Sequence, residues 1–380
     1  PRLVETNKNI SKNSKFKSLK ISWFIPRSFP DQHSYFLNTY FRISKIFKDI
    51  RIDLANGEHY YGNKIPLKRH RKLFDLFLSK TKYKNTINYI WLKKNPIDIL
   101  HLQYSWLFPH IIPLLNFKNR PKIVITLRGS DTYCRPFIDK KWRDLYRIHS
   151  NNIEAFIVQS LDQKYYLERL GVKGKKIWII PSSSESIECL PRKIIKGDRI
   201  KILSAFRFVW EKNITGNLIF IKLLKEKYPN IEYTIYGSGN DLGQIHYLID
   251  RFDIGDVVEI KGHIPNEDLK QKYLEYDYYL QLSISESLSM AVIEAQQRGL
   301  IPIVSNIGGL KDLVQNGKTG IIQNFTDYKK LVDETITVHQ NPELYNLLSR
   351  QCIENINKNF TTELEAQRLL EMYKTVNGNW

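Results

Sequence analysis

Cysteine is scarce in this chain of 380 residues, and long apolar runs are missing. Its three cysteines lie far apart and are odd in number, which predicts neither a disulfide framework nor a zinc cluster and fits a reducing compartment. Without a run of about 18 apolar residues, no membrane-spanning helix is expected. Residues 1–18 are polar and lack the apolar stretch of a signal peptide, so we expect a flexible segment and a cytoplasmic protein.

Acidic residues are also in the minority, because 39 Asp and Glu stand against 58 Lys and Arg and leave a net charge of +19. This excess favours anionic partners such as phosphates, nucleic acid or an acidic membrane face, although a solvated basic surface has the same composition. Residues 64–94 contain ten Lys and Arg and a single acid, Asp75, with aromatic and aliphatic residues between them. They form either a surface that docks peripherally on the inner membrane face or a solvated helix with an apolar core side.

Apolar runs alternate with longer amphipathic stretches, a pattern typical of βαβ units and parallel sheets. Two series of strands are predicted, at 20–25, 97–100, 122–127 and 155–158, and then at 200–205, 232–236, 257–260, 278–282, 301–305 and 320–322. Residues 181–197, rich in Ser, Pro and charge, suit a hinge between them. The sequence therefore predicts an α/β fold with two Rossmann-like, doubly wound domains, residues 19–185 and 186–359, that face a central cleft.

Two pairs of residues follow the first strands of the second series. Arg207 and Lys212 flank a short loop, where a planar guanidinium and an ammonium can meet a diphosphate. Gly237 and Gly239 follow the next strand, where glycine lets the backbone approach a ligand. Leu242 stands where a dinucleotide-binding fingerprint requires a third glycine. Taken alone, the pairs are more typical of surface cations and of an ordinary turn.

Two glutamates, Glu286 and Glu294, follow the strand at 278–282. Their separation of eight residues is just over two helical turns, so both can face one cleft. The backbone N–H groups of residues 287–290, at the start of a helix, offer an anion site for a phosphate. Glu294 then suits ribose hydroxyls and Glu286 suits those of a transferred sugar. On spacing alone, a helix-capping acid and a surface residue are the simpler interpretation.

Taken in order, these elements closely resemble the C-terminal signature of the GT-B retaining glycosyltransferases of family 4. The resemblance covers residues 199–325 and includes a small-residue helix, a strand and a Gly-Gly loop. The matching residues are Arg207, Lys212, Gly237, Gly239, Glu286, Glu294, Ala295, Gly299, Pro302, Gly308 and Gly309. The sequence departs from the family pattern at Asn213, where glycine is usual, and at Ser287-Leu288-Ser289, where Gly-x-Pro is usual.

The resemblance implies a donor site for a UDP- or GDP-linked sugar. Arg207 and Lys212 would neutralise the diphosphate, and Glu294 would bind the ribose hydroxyls. Glu286 and the backbone amides after it would hold the donor sugar and phosphate. The loop at His263 and Ile264 would contact the nucleobase. The residues that supply the amides are Ser287, Leu288, Ser289 and Met290.

The first half carries a weaker resemblance. The loop after its first strand has no glycine, and a later loop reads Arg128-Gly129-Ser130-Asp131, where relatives often have a histidine in place of Arg128. An arginine side chain stays protonated in proteins, so Arg128 cannot be a general base, but it can stabilise phosphate charge. For each histidine a structural role is the simpler interpretation. The candidates for the acceptor side of the cleft are His33, His101, Arg128 and Asp131.

The helix near the end of the chain, at 360–378, is amphipathic. In GT-B proteins this helix crosses back to the first domain, although a helix that covers its own domain would show the same pattern.

The reaction implied by the resemblance is glycosyl transfer with retention, from the nucleotide sugar to a glycan or a lipid-linked glycan. No cofactor and no metal are expected, because the sequence has no Asp-x-Asp and no His/Cys ligand spacing. A basic polyanion-binding protein is an alternative, although no nucleic-acid motif is present and no nucleic-acid partner is expected. A GT-B sugar-nucleotide epimerase or phosphorylase is another.

Overall fold

The computed structural model describes residues 19–24, 50–55, 60–61, 97–105, 108–184 and 198–378. The segment 1–18, the loop that contains His33, the basic stretch at 64–94 and most of the predicted hinge lie outside the described residues. Within the described part, Cys134 and Cys352 are free thiols. No helix there is long and apolar enough to cross a bilayer.

The first sheet has seven strands in the order β3-β2-β1-β4-β5-β6-β7. Strand β3 pairs antiparallel with β2, and the other pairings are parallel. The strand order reverses between β1 and β4, which defines a topological switch point. The strands β1 to β7 are Leu19–Phe24, Ile50–Ala55, Tyr60–Tyr61, Ile99–Leu102, Lys122–Thr126, Ala155–Val158 and Ile177–Ile179.

The second sheet has six parallel strands in the order β10-β9-β8-β11-β12-β13. Its switch point lies between β8 and β11, so the loops after these two strands open at the same edge side by side. The predicted α/β fold with two doubly wound domains is therefore confirmed. The strands β8 to β13 are Ile200–Ala205, Ile231–Tyr236, Val258–Gly262, Tyr278–Gln281, Ile301–Ser305 and Ile321–Gln323.

Helices cover the sheets. In the described residues, α1 to α5 follow strands of the first sheet and are Phe108–Ile111, Ser130–Tyr133, Arg135–Ile138, Lys140–His149 and Leu161–Arg169. Helices α6 to α13 are Ile214–Lys227, Leu242–Arg251, Asn266–Lys272, Met290–Gln297, Leu310–Leu313, Tyr328–Gln340, Pro342–Asn359 and Thr362–Asn377. Short 3-10 turns are Ile112–Asn116, Ser150–Asn152, Gly174–Lys176, Trp210–Lys212 and Tyr273–Glu275.

The central strands are continuous apolar runs because both faces of each sheet are covered. Strands β4, β6, β11 and β12 are buried along their whole length. This is the pattern expected of parallel strands between two layers of helices. Each sheet thus has its own apolar core.

The last helix, α13, packs on the first sheet although it follows the second domain in the chain. Its residues Ala366, Leu369 and Met372 share one buried cluster with Ile21 and Ile99. Leu369 and Met372 are three residues apart, so they lie on the same helix face. The chain therefore returns to its first domain before it ends.

Candidate active site

The loop between β8 and α6 is tied to the end of β11 by two asparagines. Asn213 donates from Nδ2 to the carbonyl of Leu282 at 2.9 Å, and its Oδ1 accepts from the N–H of Gly216 at 3.2 Å as the cap of α6. Asn213 has φ 48°, in the left-handed region that glycine and then asparagine tolerate best. The departure from the family's glycine therefore preserves the backbone conformation.

Asn217, one turn into α6, completes this connection. Its amide nitrogen donates to the carbonyls of Lys212 and Asn213 at 2.9 Å, and its oxygen accepts from the N–H of Leu282 at 3.0 Å. The side chain is buried and these three partners are backbone groups, so the amide holds the two loops at a fixed spacing. The sequence reasoning missed Asn217, because its role depends on the neighbouring strand.

Lys212 and Glu286 form an ion pair at the switch point. The Lys212 ammonium donates to Glu286 Oε2, and the two side chains are 15% and 13% exposed. Gln281, fully buried at the end of β11, donates to the same oxygen at 2.8 Å, and its own Oε1 accepts from the Ser289 hydroxyl at 2.9 Å. The structure thus brings a cation, a carboxylate and the start of α9 into one hydrogen-bonded network. Gln281, which connects them, was not predicted from the sequence.

Arg207 lies at the same edge on an exposed part of the β8 loop. Its neighbours fix the loop, because the N–H of Phe206 donates to Tyr236 O at 3.1 Å and that of Phe208 donates to Ser238 O at 2.8 Å. Gly237 and Gly239 allow this approach, since a Cβ at either position would overlap the carbonyl oxygen of Phe206 or Phe208. The two glycines thereby set the position of the Arg207 loop.

Glu294 lies in α9, behind the Glu286 loop. Burial raises the pKa of its carboxyl, against the opposing effects of Asn266, Lys270 and Arg298. Asn266 lies 3.4 Å from Glu294 Oε1 and begins α8, three residues after His263. His263 is exposed, and the next residue, Ile264, packs on the core cluster under α9. Glu294 and the predicted nucleobase loop thus share one side of the site.

The start of α9 is held by a cap and by the Gly-Gly loop. Ser289 caps the helix, with its hydroxyl oxygen 3.3 Å from the N–H of Val292. The N–H of Gly309 donates to Glu286 O at 3.0 Å, and a Cβ at Gly308 would overlap that same carbonyl oxygen. Ser287 and Leu288 are buried and Met290 is half-buried. The anion site predicted for 287–290 therefore has a rigid backbone beside Glu286.

The first domain contributes Arg128 to the facing side of the cleft. Its guanidinium donates to Ser182 Oγ at 2.7 Å and to Gln103 Oε1 at 2.9 Å. Its carbonyl oxygen accepts from the hydroxyl of Ser287 at 3.0 Å, which joins the two domains at the site. The structure therefore places the Arg128 loop against the start of α9.

Asp131 supports the Arg128 loop from inside. Its carboxylate accepts from the N–H groups of Arg128 at 2.9 Å and Gly129 at 3.0 Å, and lies 3.4 Å from that of Ser105. The side chain is buried, and burial raises its pKa above the usual range despite these bonds. Asp131 thus orients the loop, and its oxygens are turned toward the protein backbone.

His101 is not a cleft residue, contrary to the prediction. It lies inside β4, which begins and ends two residues later than predicted, and its ring is 1% exposed. Its Nδ1 is 2.6 Å from the hydroxyl of Tyr373 in α13, and its Nε2 is 2.7 Å from Thr126 Oγ1. Burial, helped by the charge of Arg128, lowers its pKa to about 3, so the ring is neutral. The helix that returns from the second domain covers it.

Among the described residues, no group of three or more His, Cys, Asp or Glu side chains is arranged to hold a metal ion.

Comparison with known proteins matches both halves of the chain to family models. Residues 188–358 match glycosyl transferases group 1, and residues 87–183 match glycosyltransferase family 4. An uncharacterized 41.2 kDa protein in the cps region of Klebsiella pneumoniae is 24% identical over 306 residues, 75% of this chain and 80% of that protein. Alpha-monoglucosyldiacylglycerol synthase of Acholeplasma laidlawii is 28% identical over 216 residues, 56% of this chain and about half, 53%, of that protein.

Solved structures show the same two-domain fold. Anabaena Alr3699/HepE, crystallised in complex with UDP, superposes with a TM-score of 0.73 at 14% identity and covers 94% of this chain and 100% of its own. At 14% identity this structural similarity shows the fold alone, and the fold is GT-B. One family match falls in each domain. The match over residues 188–358 contains the whole network around Lys212 and Glu286. The chain therefore belongs to the group 1 glycosyltransferases with the GT-B fold.

Proposed function

We propose that this glycosyltransferase moves a sugar from a UDP- or GDP-linked donor to a glycan or lipid-linked glycan, with retention of anomeric configuration, in the synthesis of a cell-surface polysaccharide. The observation that carries the proposal is the network of Lys212, Gln281, Glu286 and Ser289 at the switch point of the second sheet. A cation, a carboxylate and helix N–H groups meet there, which suits a sugar diphosphate.

The donor would lie across the loops after β8 and β11. Arg207 and Lys212 neutralise the diphosphate, and the amides of 287–290 bind a phosphate oxygen. Glu286 accepts hydroxyls of the donor sugar, Glu294 accepts those of the ribose, and the loop at 263–264 contacts the base. Because these groups are held in place before the reaction, they stabilise the charge that develops on the departing phosphate.

The transfer breaks the bond between the anomeric carbon and the phosphate oxygen. The acceptor oxygen forms its bond to that carbon on the same face, and its proton passes to the departing phosphate. Lys212 and Arg207 supply the positive charge, so we propose that the reaction needs neither a metal ion nor a cofactor.

Binding of nucleoside diphosphates tests the donor site. In the presence of a chelator, calorimetry of UDP, GDP and ADP is expected to show micromolar binding of one of them. Lys212→Ala and Glu294→Ala should each weaken it by tenfold or more, about 1.4 kcal/mol. Lys222→Ala is the matched control, because Lys222 is an exposed cation on α6 whose partner is the surface Glu226.

Other outcomes identify the alternatives. If no diphosphate binds, or if the two variants bind as well as the wild type, the donor-site assignment fails. Salt-sensitive binding of heparin in its place would favour the polyanion-binding protein. Consumption of the nucleotide sugar without a glycosylated acceptor would favour the epimerase or phosphorylase. The anomeric configuration of the product, read from its NMR coupling constant, tests retention.

We also propose that the first domain attaches peripherally to the cytoplasmic face of an anionic membrane. Lys140, Arg143 and Arg147 are exposed and are spaced three and four residues apart, so they lie along one face of α4. Ile138 and Ile148 are exposed beside them. Cations next to uncovered apolar side chains suit the interface of an anionic bilayer.

Vesicle sedimentation tests this attachment. Binding to vesicles of phosphatidylcholine with phosphatidylglycerol is expected, with little binding to phosphatidylcholine alone. The double variant Arg143→Glu/Arg147→Glu should lose at least about tenfold in binding, since each cation near the surface is worth ~1 kcal/mol. Lys329→Glu/Lys330→Glu changes the charge equally at exposed positions of α11. Equal losses for the two double variants would contradict a specific surface on α4.

A further inference from the structure

A pocket lined by aromatic side chains lies between the two domains, beside the proposed donor site. The four aromatic residues come from both domains and are Tyr133, Phe137, Tyr166 and Trp210. The pocket has a volume of about 420 Å³. Small-molecule sites have volumes of about 300–1,000 Å³, so it is large enough for a ligand.

The wall from the first domain is held in one orientation. The Tyr133 hydroxyl donates to Asp162 Oδ2 at 2.9 Å, and the rings of Tyr133 and Tyr166 meet edge to face with centroids 5.0 Å apart. The Arg169 guanidinium lies over the Tyr166 ring, 5.5 Å from its centroid, and also lines the pocket. The ring faces are therefore positioned before any ligand binds, which reduces the entropy lost on binding.

The wall from the second domain continues into the proposed donor site. Trp210 begins the 3-10 turn that ends at Lys212. Ile284 and Ser285 also line the pocket and directly precede Glu286. The N–H of Ile284 donates to the carbonyl of Glu211 at 2.9 Å, which joins these two stretches. A group in the pocket would therefore lie beside the residues assigned to the diphosphate and the donor sugar.

The chemistry of the pocket suits a sugar ring. Phe137 is 60% exposed and Trp210 is 58% exposed, so large aromatic surfaces are left uncovered at the pocket. The negative face of an aromatic ring attracts the weakly positive C–H groups of a flat apolar surface. A pyranose offers such a C–H face together with a rim of hydroxyls, for which Arg169 and Ser285 supply polar partners.

We propose that this pocket binds a pyranose ring of the acceptor, held between aromatic side chains of both domains. The inference rests on the proposed function, and it specifies the acceptor as carbohydrate at the end that reaches the donor. It also makes Trp210, in the nucleotide-binding domain, a determinant of acceptor specificity. An acceptor with only an acyl chain at this position would leave the polar rim without partners.

Saturation-transfer NMR with simple glycosides tests the pocket. The probes are the methyl pyranosides of glucose, galactose, mannose and N-acetylglucosamine, added to the full chain with and without UDP. At least one is expected to bind with a millimolar Kd. Phe137→Ala and Trp210→Ala should each weaken that binding by tenfold or more, whereas Trp210→Phe, which retains a ring, should weaken it less. Tyr247→Ala, at a 64% exposed aromatic residue on α7, is the control and should bind as the wild type does.

The outcomes separate the acceptor pocket from the donor site. The affinity for UDP, or for GDP where that is the diphosphate that binds, is measured for every protein and reports whether the donor site is intact. If the diphosphate binds but no pyranoside does, or if Phe137→Ala and Trp210→Ala bind the probe like the wild type, the assignment of the acceptor pocket is wrong and the proposed function stands. If hexan-1-ol gives the same signal as the best glycoside and competes with it, the occupant is an apolar chain and the proposal fails. If neither UDP nor GDP binds, the proposed function fails.

Discussion

At the scale of single residues, the charged side chains of the site form hydrogen bonds or ion pairs with specific neighbours. Glu286 is held by Lys212 and Gln281, and Asp131 by backbone N–H groups. His101 is the opposite case, because its surroundings favour the neutral ring. Its two ring nitrogens meet the hydroxyls of Tyr373 and Thr126, and its pKa falls to about 3. An internal histidine of this kind makes stability depend on pH.

We expect His101 to destabilise the fold as the pH falls. Its pKa is about 6.5 in the unfolded chain and about 3 in the folded protein, so only the unfolded state gains a proton between these values. The stability that the neutral His101 ring contributes is fully present above pH 6.5 and is lost as the pH falls below that value. Between pH 7 and pH 5 this group should lower the free energy of unfolding by up to ~2 kcal/mol, at 1.36 kcal/mol per pH unit.

Urea unfolding at pH 7 and pH 5 measures this effect. His101→Gln, which cannot titrate, should show a smaller loss between the two pH values, whatever its stability at pH 7. His246→Gln provides the control, since His246 is exposed on α7. An unchanged pH dependence in His101→Gln would show that the ring is not neutral and buried in solution.

At the scale of elements, the site depends on loops that touch through their backbones. The β8 loop contacts the Gly237–Gly239 turn, and the Glu286 loop contacts Gly308 and Gly309. Neither contact leaves space for a Cβ. The positions of the charged side chains therefore depend on glycines that carry no chemistry of their own.

Gly308→Ala is expected to lower activity by tenfold or more. Gly308 has φ 47°, and the new Cβ would overlap the carbonyl oxygen of Glu286, so the Glu286 loop must move. Gly317→Ala is the control for backbone strain without this overlap. Gly317 also has a left-handed φ, 68°, but an added Cβ there would meet open space. Both variants should lose ~1–2 kcal/mol of stability from the left-handed backbone.

Initial rates of donor consumption and thermal unfolding compare the two glycine variants. Only Gly308→Ala should lose activity out of proportion to its stability. Similar activities in both would mean that the Gly-Gly loop does not set the position of Glu286.

At the scale of the whole molecule, two consecutive helices near the end of the chain belong to different cores. Leu348 in α12 is buried in the core of the second sheet, and Leu369 in α13 is buried against the first. Glu365, also in α13, accepts from the N–H and hydroxyl of Ser183 at 3.0 and 2.5 Å. The first domain is therefore complete only when the last helix has returned to it.

Leu369→Ala and Leu348→Ala form a matched pair that tests this arrangement. Each removes a buried leucine at a cost of ~2–5 kcal/mol. Hydrogen exchange followed by mass spectrometry is expected to show faster exchange in β1 and β4 for Leu369→Ala. Leu348→Ala should instead affect the strands of the second sheet. Faster exchange in β8 and β11 for Leu369→Ala would mean that α13 stabilises its own domain.

Much of the second domain was predictable because its signals are local. The predicted strands at 200–205 and 301–305 coincide with β8 and β12, since a buried parallel strand is a continuous apolar run. The motif spacing placed Lys212 and Glu286 after neighbouring strands. In the first domain three strands were not predicted, because Arg51 and Asp53 interrupt the apolar residues of β2, and β3 and β7 are only two and three residues long.

Amino-acid order by itself determined the fold class and its two doubly wound domains, because these follow from apolar periodicity. The resemblance of its short motifs to a known family is what pointed to Lys212 and Glu286 as residues of a donor site. Only the tertiary structure decided that His101 is internal, since its partner Tyr373 is 272 residues away. It also decided the bonds of Asn217 and Gln281 and the pocket between Phe137 and Trp210. Such contacts form between segments that are distant in the chain, and no local pattern records them.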